Sequence, residues 1–172
     1  VIHSFWVREM AGRIDLSSGN TNFMWFSADE TGEYFGQCAE FCGTAHSQMR
    51  FRVIAETREE FDAWVALQKK TPVIAQDDPG ADLFMNATFE GGQRCAFCHT
   101  IEGMQIKGTV GPDLTHLAGR TTIAAGLLDN NETNLADWLR DPSAVKPGAL
   151  MPDLGLTEDQ ISTLVTFLGS LK

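Results

Sequence analysis

Two short stretches of this chain concentrate the side chains that bind metals or react with cofactors. Cys95-Ala96-Phe97-Cys98-His99 places two thiols one helical turn apart, with an imidazole directly after the second. Each thiol can add to one vinyl group of a haem, and the histidine then offers a ring nitrogen to the iron. A thioredoxin-like redox pair would need a preceding strand, which the residues before Cys95 do not offer. A tetrahedral zinc site would need further ligands at suitable spacing. A sixth iron ligand is expected downstream. Lys146-Pro147-Gly148-Ala149-Leu150-Met151-Pro152 offers Met151 in a loop bounded by prolines, with Met85, Met104 and His116 as alternatives. Methionine more often fills gaps in cores, but a proline-bounded loop suits a rigidly held ligand. A His/Met pair raises the reduction potential of a haem.

The second stretch is Cys38-Ala39-Glu40-Phe41-Cys42-Gly43-Thr44-Ala45-His46-Ser47-Gln48-Met49. It packs two cysteines, one histidine and one methionine into twelve residues, and His3 precedes it beside Phe5 and Trp6. Thiolate, imidazole and thioether together suit copper. A single-copper electron-transfer site uses one Cys, two His and a weak Met, so here one cysteine is extra. Two thiolates can bridge two copper ions, each capped by one histidine. A Cys38–Cys42 disulfide, a zinc knuckle or unrelated burial are the competing readings. None of them requires Met49 or His3.

The region around Cys95 resembles the class I cytochrome c family over nearly the whole second half. In that resemblance Gly111-Pro112-Asp113-Leu114 supplies the Pro112 carbonyl that receives the N–H of iron-bound His99. Arg120, in Leu117-Ala118-Gly119-Arg120, lies near a haem propionate, and Trp138 packs beside the haem near the methionine ligand. Without the resemblance, Arg120 is a surface charge and Trp138 a core residue. Residues 1–70 resemble the CuA domain of cytochrome c oxidase subunit II. That resemblance implies that Cys38 and Cys42 bridge two coppers, that His3 and His46 each bind one, and that Met49 and the Glu40 carbonyl are weak ligands. It also implies a Mg²⁺ site reached by the Glu40 side chain at the boundary with subunit I.

A CuA domain followed by a cytochrome c domain resembles subunit II of caa-type haem-copper oxidases. The implied role is electron input: from cytochrome c or another respiratory donor to haem c, then to the copper pair, then to subunit I, where O₂ is reduced to water with proton pumping. The implied partners are subunit I and the other oxidase subunits. The implied location is the outer face of a bacterial plasma membrane, where oxidising conditions allow both cofactors to assemble. A nitrous oxide or nitric oxide reductase component is an alternative, against which Glu40 between the cysteines argues. A free electron carrier is another. The family's barrel has strands and two membrane helices ahead of its first histidine ligand, and here that histidine is residue 3. The expectation is a fragment whose missing chain, or neighbouring subunits, complete the barrel and anchor it.

These sites need elements to hold them. The 172 residues are 43% hydrophobic and 21% charged, which excludes a disordered chain. The net charge of −10 excludes non-specific nucleic-acid binding. Most of that charge falls after residue 75 and fits a basic partner. No apolar run is long enough for a membrane helix. Two domains are expected: a β-rich, cupredoxin-like domain over 1–72 that ends in a helix, a linker over 73–80 rich in Pro, Gly and Asp, and an all-α cytochrome c domain over 81–172. Met49-Arg50-Phe51-Arg52-Val53 alternates as a half-buried strand, and Phe23-Met24-Trp25-Phe26 reads as a buried one. Thr57 with Glu60, and Thr157 with Gln160, form capping boxes. Phe61, Trp64 and Val65 share one helical face. Leu135, Trp138 and Leu139 share another, behind an Asn131 cap and before Pro142. Ile161, Leu164, Val165, Leu168 and Leu171 form an apolar stripe.

Overall fold

The computed structural model of the protein describes residues 1–10 and 12–172. Its first part is a four-stranded antiparallel sheet in the order β2-β1-β3-β4, made of β1 (His3–Val7), β2 (Arg13–Leu16), β3 (Gly32–Cys38) and β4 (Arg50–Ala55). The alternating stretch around Phe51 forms β4 as expected. Phe51 pairs with Gly36, whose missing side chain leaves room for the Phe51 ring; a Cβ there would sit 2.1 Å from it. Phe51 in turn stacks on Phe5 at 4.8 Å, and Phe5 on Phe26 at 5.8 Å.

Phe23-Met24-Trp25-Phe26 is not a buried strand. It is irregular chain, with Phe23 88% and Trp25 90% exposed. Aromatic content marks surface that favours burial, but burial also needs a facing element, and among the described residues none covers Phe23 or Trp25, whereas Phe26 stacks on Phe5 of β1.

Thr57 caps α1 (Arg58–Gln68) through the expected box: its hydroxyl accepts from the Glu60 amide while the Glu60 carboxylate accepts from the Thr57 amide. Phe61 and Trp64 stack at 5.9 Å on its surface. No residue of α1 is buried.

The core lies in the second part. Asp78 caps α2 (Pro79–Asn86), its carboxylate accepting from the Gly80 and Ala81 amides. Helix α2 thus begins inside the stretch read as linker, because Pro79 fits the first helical position as well as it fits a loop. Gly80 lets α2 approach the last helix closely: a Cβ there would meet the Cβ of Phe167 at 2.3 Å. One turn, α3 (Cys95–Cys98), follows. Helix α4 (Glu132–Arg140) starts at the Asn131 cap and ends before Pro142, which opens the short α5 (Pro142–Val145). Helix α6 (Glu158–Leu168) starts at the Thr157 box and buries Ile161, Leu164, Val165 and Leu168. Leu171 is buried just beyond it. This part also contains a small two-stranded ladder, β5 (Thr122–Ile123) and β6 (Leu128–Asp129), so it is helical without being purely so. Among the described residues no helix is long and apolar enough to cross a membrane.

Candidate functional site

The first cluster forms where β1, β3 and the loop before β4 meet. Phe5 pairs with Cys38, so His3 comes to the end of the strand that carries Cys38. The Cys38 amide donates to the Met49 carbonyl and the Ala39 amide to the Ser4 carbonyl. Between them the chain turns at Gly43, whose φ of 125° favours glycine, and runs through a 3₁₀ turn at His46–Gln48. The Met49 amide closes that turn onto the His46 carbonyl. His3, Cys38, His46 and Met49 therefore sit on backbone fixed by hydrogen bonds.

The resulting distances are short. Cys38 Sγ lies 3.7 Å from Cys42 Sγ, 3.8 Å from His3 Nδ1 and 3.2 Å from the Glu40 carbonyl oxygen. Cys42 Sγ lies 3.5 Å from His46 Nδ1 and 3.8 Å from Met49 Sδ. Both cysteines are free thiols. Their separation is well beyond a disulfide bond of about 2.05 Å and shorter than twice a metal–thiolate bond of about 2.3 Å. One ion can therefore touch both sulfurs, and the soft donors around them fit copper. Burial, and the Cys38 side chain beside it, hold the Cys42 thiol above its ordinary value of 9.0. A cation between the sulfurs removes that obstacle to ionisation.

Arg13 on β2 is a positioning residue that sequence reading missed. It donates to the Ala39 carbonyl at 2.9 Å and pairs with the Glu40 carboxylate at 3.2 Å. The Glu40 side chain, expected to reach Mg²⁺, is thus held by an arginine. Among the described residues His3, Cys38 and Cys42 are the only group of three or more His, Cys, Asp or Glu placed to hold a metal, and nothing joins Glu40 in a second one.

The second cluster sits on the helical core. Cys95 is buried and Cys98 half-buried, one turn apart on α3. Burial pushes the Cys95 thiol up to about 11. His99 follows in extended conformation, and its Nδ1 lies 2.8 Å from the Pro112 carbonyl oxygen. A carbonyl can only accept, so Nδ1 carries the proton and Nε2 keeps its lone pair for a metal. Gly108 and Gly111 make this possible. A Cβ on Gly111 would stand 2.5 Å from the imidazole, and one on Gly108 would stand 2.5 Å from the His99 amide nitrogen. That tautomer, with two free thiols beside it, fits a covalently attached haem.

Met151 and Trp138 are both half-buried against the same core, and so is Met104. Met85 lies on α2. His116, the alternative sixth ligand, is engaged elsewhere: its Nε2 lies 3.1 Å from the Gln68 carbonyl oxygen at the end of α1. Arg120 donates to the Asp113 carbonyl and lines a polar cleft with Gln68, Glu102, Thr115 and His116.

Comparison with known proteins agrees with this division. Residues 1–56 match the family model for the cytochrome c oxidase subunit II periplasmic domain, and residues 78–172 match the cytochrome c model. The chain is 40% identical over 177 residues to a cytochrome c oxidase subunit 2 of Alkalihalophilus pseudofirmus, covering 100% of this chain and 49% of that protein. It is 38% identical over 185 residues to the subunit 2 of Bacillus sp. strain PS3, covering 100% and 50%. The chain thus spans about half the length of these relatives. A solved structure, the periplasmic domain of cytochrome oxidase subunit II of Bradyrhizobium japonicum, is similar at 38% identity and a TM-score of 0.38, over 38% of this chain and 48% of that one.

Proposed function

Since the chain belongs to the family that joins a cytochrome c oxidase subunit II periplasmic domain to a cytochrome c domain, we propose that it is the electron-input portion of a terminal haem-copper oxidase. In this reading it takes electrons from an external donor at haem c and passes them through the copper pair to subunit I, where O₂ is reduced to water with proton pumping. It works on the outer face of a bacterial plasma membrane, held there with the other oxidase subunits. The functional units are residues 1–72 and a class I cytochrome c unit running from the Asp78 cap of α2 to residue 172, joined by a linker that starts at residue 73 and ends before that cap.

The residues divide the work as follows. Cys38, Cys42, His3 and His46 would hold the copper, with Met49 and the Glu40 carbonyl as weaker donors. Cys95 and Cys98 would attach the haem, His99 and Met151 would offer its iron their ring nitrogen and sulfur, Pro112 fixes the His99 tautomer, and Arg120 and Trp138 would line the haem site. When bound, the two groups supply one-electron redox couples. The chain supplies ligands that need not move: His3 and Cys38 lie on paired strands, His46 and Met49 on a hydrogen-bonded 3₁₀ turn, and the His99 ring is fixed by Pro112 and Gly111.

The observation that carries this reading is the convergence of His3, His46 and Met49 on two unbonded cysteine sulfurs. Metal and haem analysis of the purified complex, with electron paramagnetic resonance, tests it. Two coppers sharing one unpaired electron, alongside one haem c, is the expected result. A sulfur–sulfur bond between Cys38 and Cys42, or a single copper with an isolated-ion signal, overturns it.

A further inference from the structure

The two ligand-bearing loops touch each other, and the contact uses residues that neither site needs as ligands. Arg50, directly after Met49, donates its amide to the Ala125 carbonyl at 2.9 Å. Ala125 belongs to a turn of three successive left-handed residues, Ala124 (φ 54°), Ala125 (φ 60°) and Gly126 (φ 70°), between β5 and β6. Alanine rarely adopts this conformation, so something must hold the turn in it.

Lys146 does so from the other side. Its side chain is buried, makes no ion pair among the described residues, and donates from Nζ to the Ala124 carbonyl at 2.9 Å. A buried ammonium with a backbone carbonyl as partner is costly, and its position has a consequence. Lys146 opens the loop that carries Met151, so Lys146, the turn and Arg50 link the Met151 loop to the strand that follows Met49. The same two loops meet again at Gly148. A Cβ on Gly148 would stand 2.8 Å from the Thr44 Cβ and 3.0 Å from the Ala45 amide nitrogen, just ahead of His46. A separate tether joins the two parts where His116 donates to the Gln68 carbonyl.

We propose that Lys146 and the turn Ala124-Ala125-Gly126 form an internal docking clamp that seats the Met151 loop on the copper-ligand loop and sets the separation of the two redox sites within one chain. The clamp itself stands on the contacts above; its effect on electron exchange rests on the proposed function.

Lys146→Met keeps the apolar stem and removes the donor. Gly126→Ala disturbs the same seam from a different place, since its Cβ would meet the Arg50 carbonyl carbon at 2.7 Å. Two measurements read the clamp. The first is hydrogen exchange of the Arg50 amide in the full chain as purified, with whatever cofactors it holds left in place. The second is the rate of one-electron exchange between haem and copper in the loaded complex, one electron leaving the haem iron and one entering the copper pair with no proton moved. Both variants should expose the Arg50 amide to faster exchange and slow the electron exchange several-fold, with the haem and copper spectra of the wild type retained. Lys146→Arg, which keeps a cationic donor, should restore both. Unchanged Arg50 exchange and an unchanged rate in both variants overturn the clamp. If Lys146→Met alters haem ligation, Gly126→Ala decides by the same two readings. If the wild-type chain binds no copper, the proposed function fails, and Arg50 exchange still decides the docking.

Discussion

The sheet part and the helical part each gather one ligand cluster, but they hold it by different means. Around the copper-type cluster the buried residues are few: Ser4, Val7, Gly36 and Cys38. Ligand positions there are set by backbone hydrogen bonds at strand ends and by Arg13 gripping the Ala39 carbonyl. Around the haem-type cluster sixteen buried residues form one continuous core, and Cys95 is itself a member of it. A ligand on a hydrogen-bonded edge is only as fixed as the edge. A ligand packed in a core is fixed by the same burial that folds the domain, roughly 1.5–3 kcal/mol per large apolar side chain. Metal should therefore matter far more to the folding of the first part than of the second, because a bound ion adds its binding free energy to a fold that has little burial of its own.

The largest effect should come from stripping copper. Chelation of the loaded chain should abolish the cooperative thermal transition of the sheet part and leave that of residues 78–172 in place. Calorimetry with residue-level hydrogen exchange measures both. A sheet that melts at the same temperature with and without copper would erase the contrast. The converse perturbation is Leu164→Ala. Leu164 is fully buried on α6, and removing it should cost the helical part about 2–5 kcal/mol, read by denaturant unfolding. The copper signal should persist in the variant. Its loss would show that the sheet depends on the helical core for its fold.

The same contrast explains what the sequence made legible. Both capping boxes, the Asn131 cap and the α6 stripe were readable because each is decided within a few residues. The ligand candidates were readable because cysteine, histidine and methionine at fixed spacing carry their chemistry with them. Phe23 and Trp25 were misread because aromatic content reports an appetite for burial, not the presence of a cover. The positioning residues were invisible for a related reason. Arg13 acts 26 positions away, on Ala39, and His116 acts 48 positions away, on Gln68. No periodicity records such pairs. Gly108 and Gly111 stood in plain view, but the ring and amide they make room for appear only once the chain is folded.

Smaller changes can sharpen the contrast through a motif that both parts share. Thr57 and Thr157 head the same kind of capping box. Thr157→Ala should cost the helical part about 1 kcal/mol, because α6 is part of its core and its cap is lost to the whole fold. Thr57→Ala should fray α1 and leave the copper part's global transition unmoved, since α1 buries nothing. Far-ultraviolet circular dichroism and denaturant midpoints separate the two outcomes. A Thr57→Ala variant that lowers the midpoint of either part would mean that α1 is packed more firmly than its exposed face indicates.

The smallest effect is a difference in acid response. Hydrogen bonds from Arg140, aided by its charge, hold the Glu158 carboxyl below its ordinary value of 4.5. The Thr57 amide and hydroxyl do the same for Glu60. A depressed folded-state value contributes stability above the unfolded value, and that contribution is lost as pH falls through the folded one. Both groups are exposed, so each effect is small and weakened further by salt. Their consequences should nevertheless differ. Arg140 sits on α4 and grips Glu158 with two hydrogen bonds of 2.8 Å, so that pair ties α4 to α6. Protonating Glu158 therefore loosens a contact between two core helices, whereas protonating Glu60 loosens only the first turn of α1. Below pH 4.5 the helical part should lose stability progressively, and Glu158→Gln should flatten that acid limb; Glu60→Gln should leave it unchanged. Denaturant midpoints across an acid series, at low and high salt, read the difference. An acid limb that Glu158→Gln does not alter would assign the loss to other carboxylates and remove the α4–α6 bridge from the account.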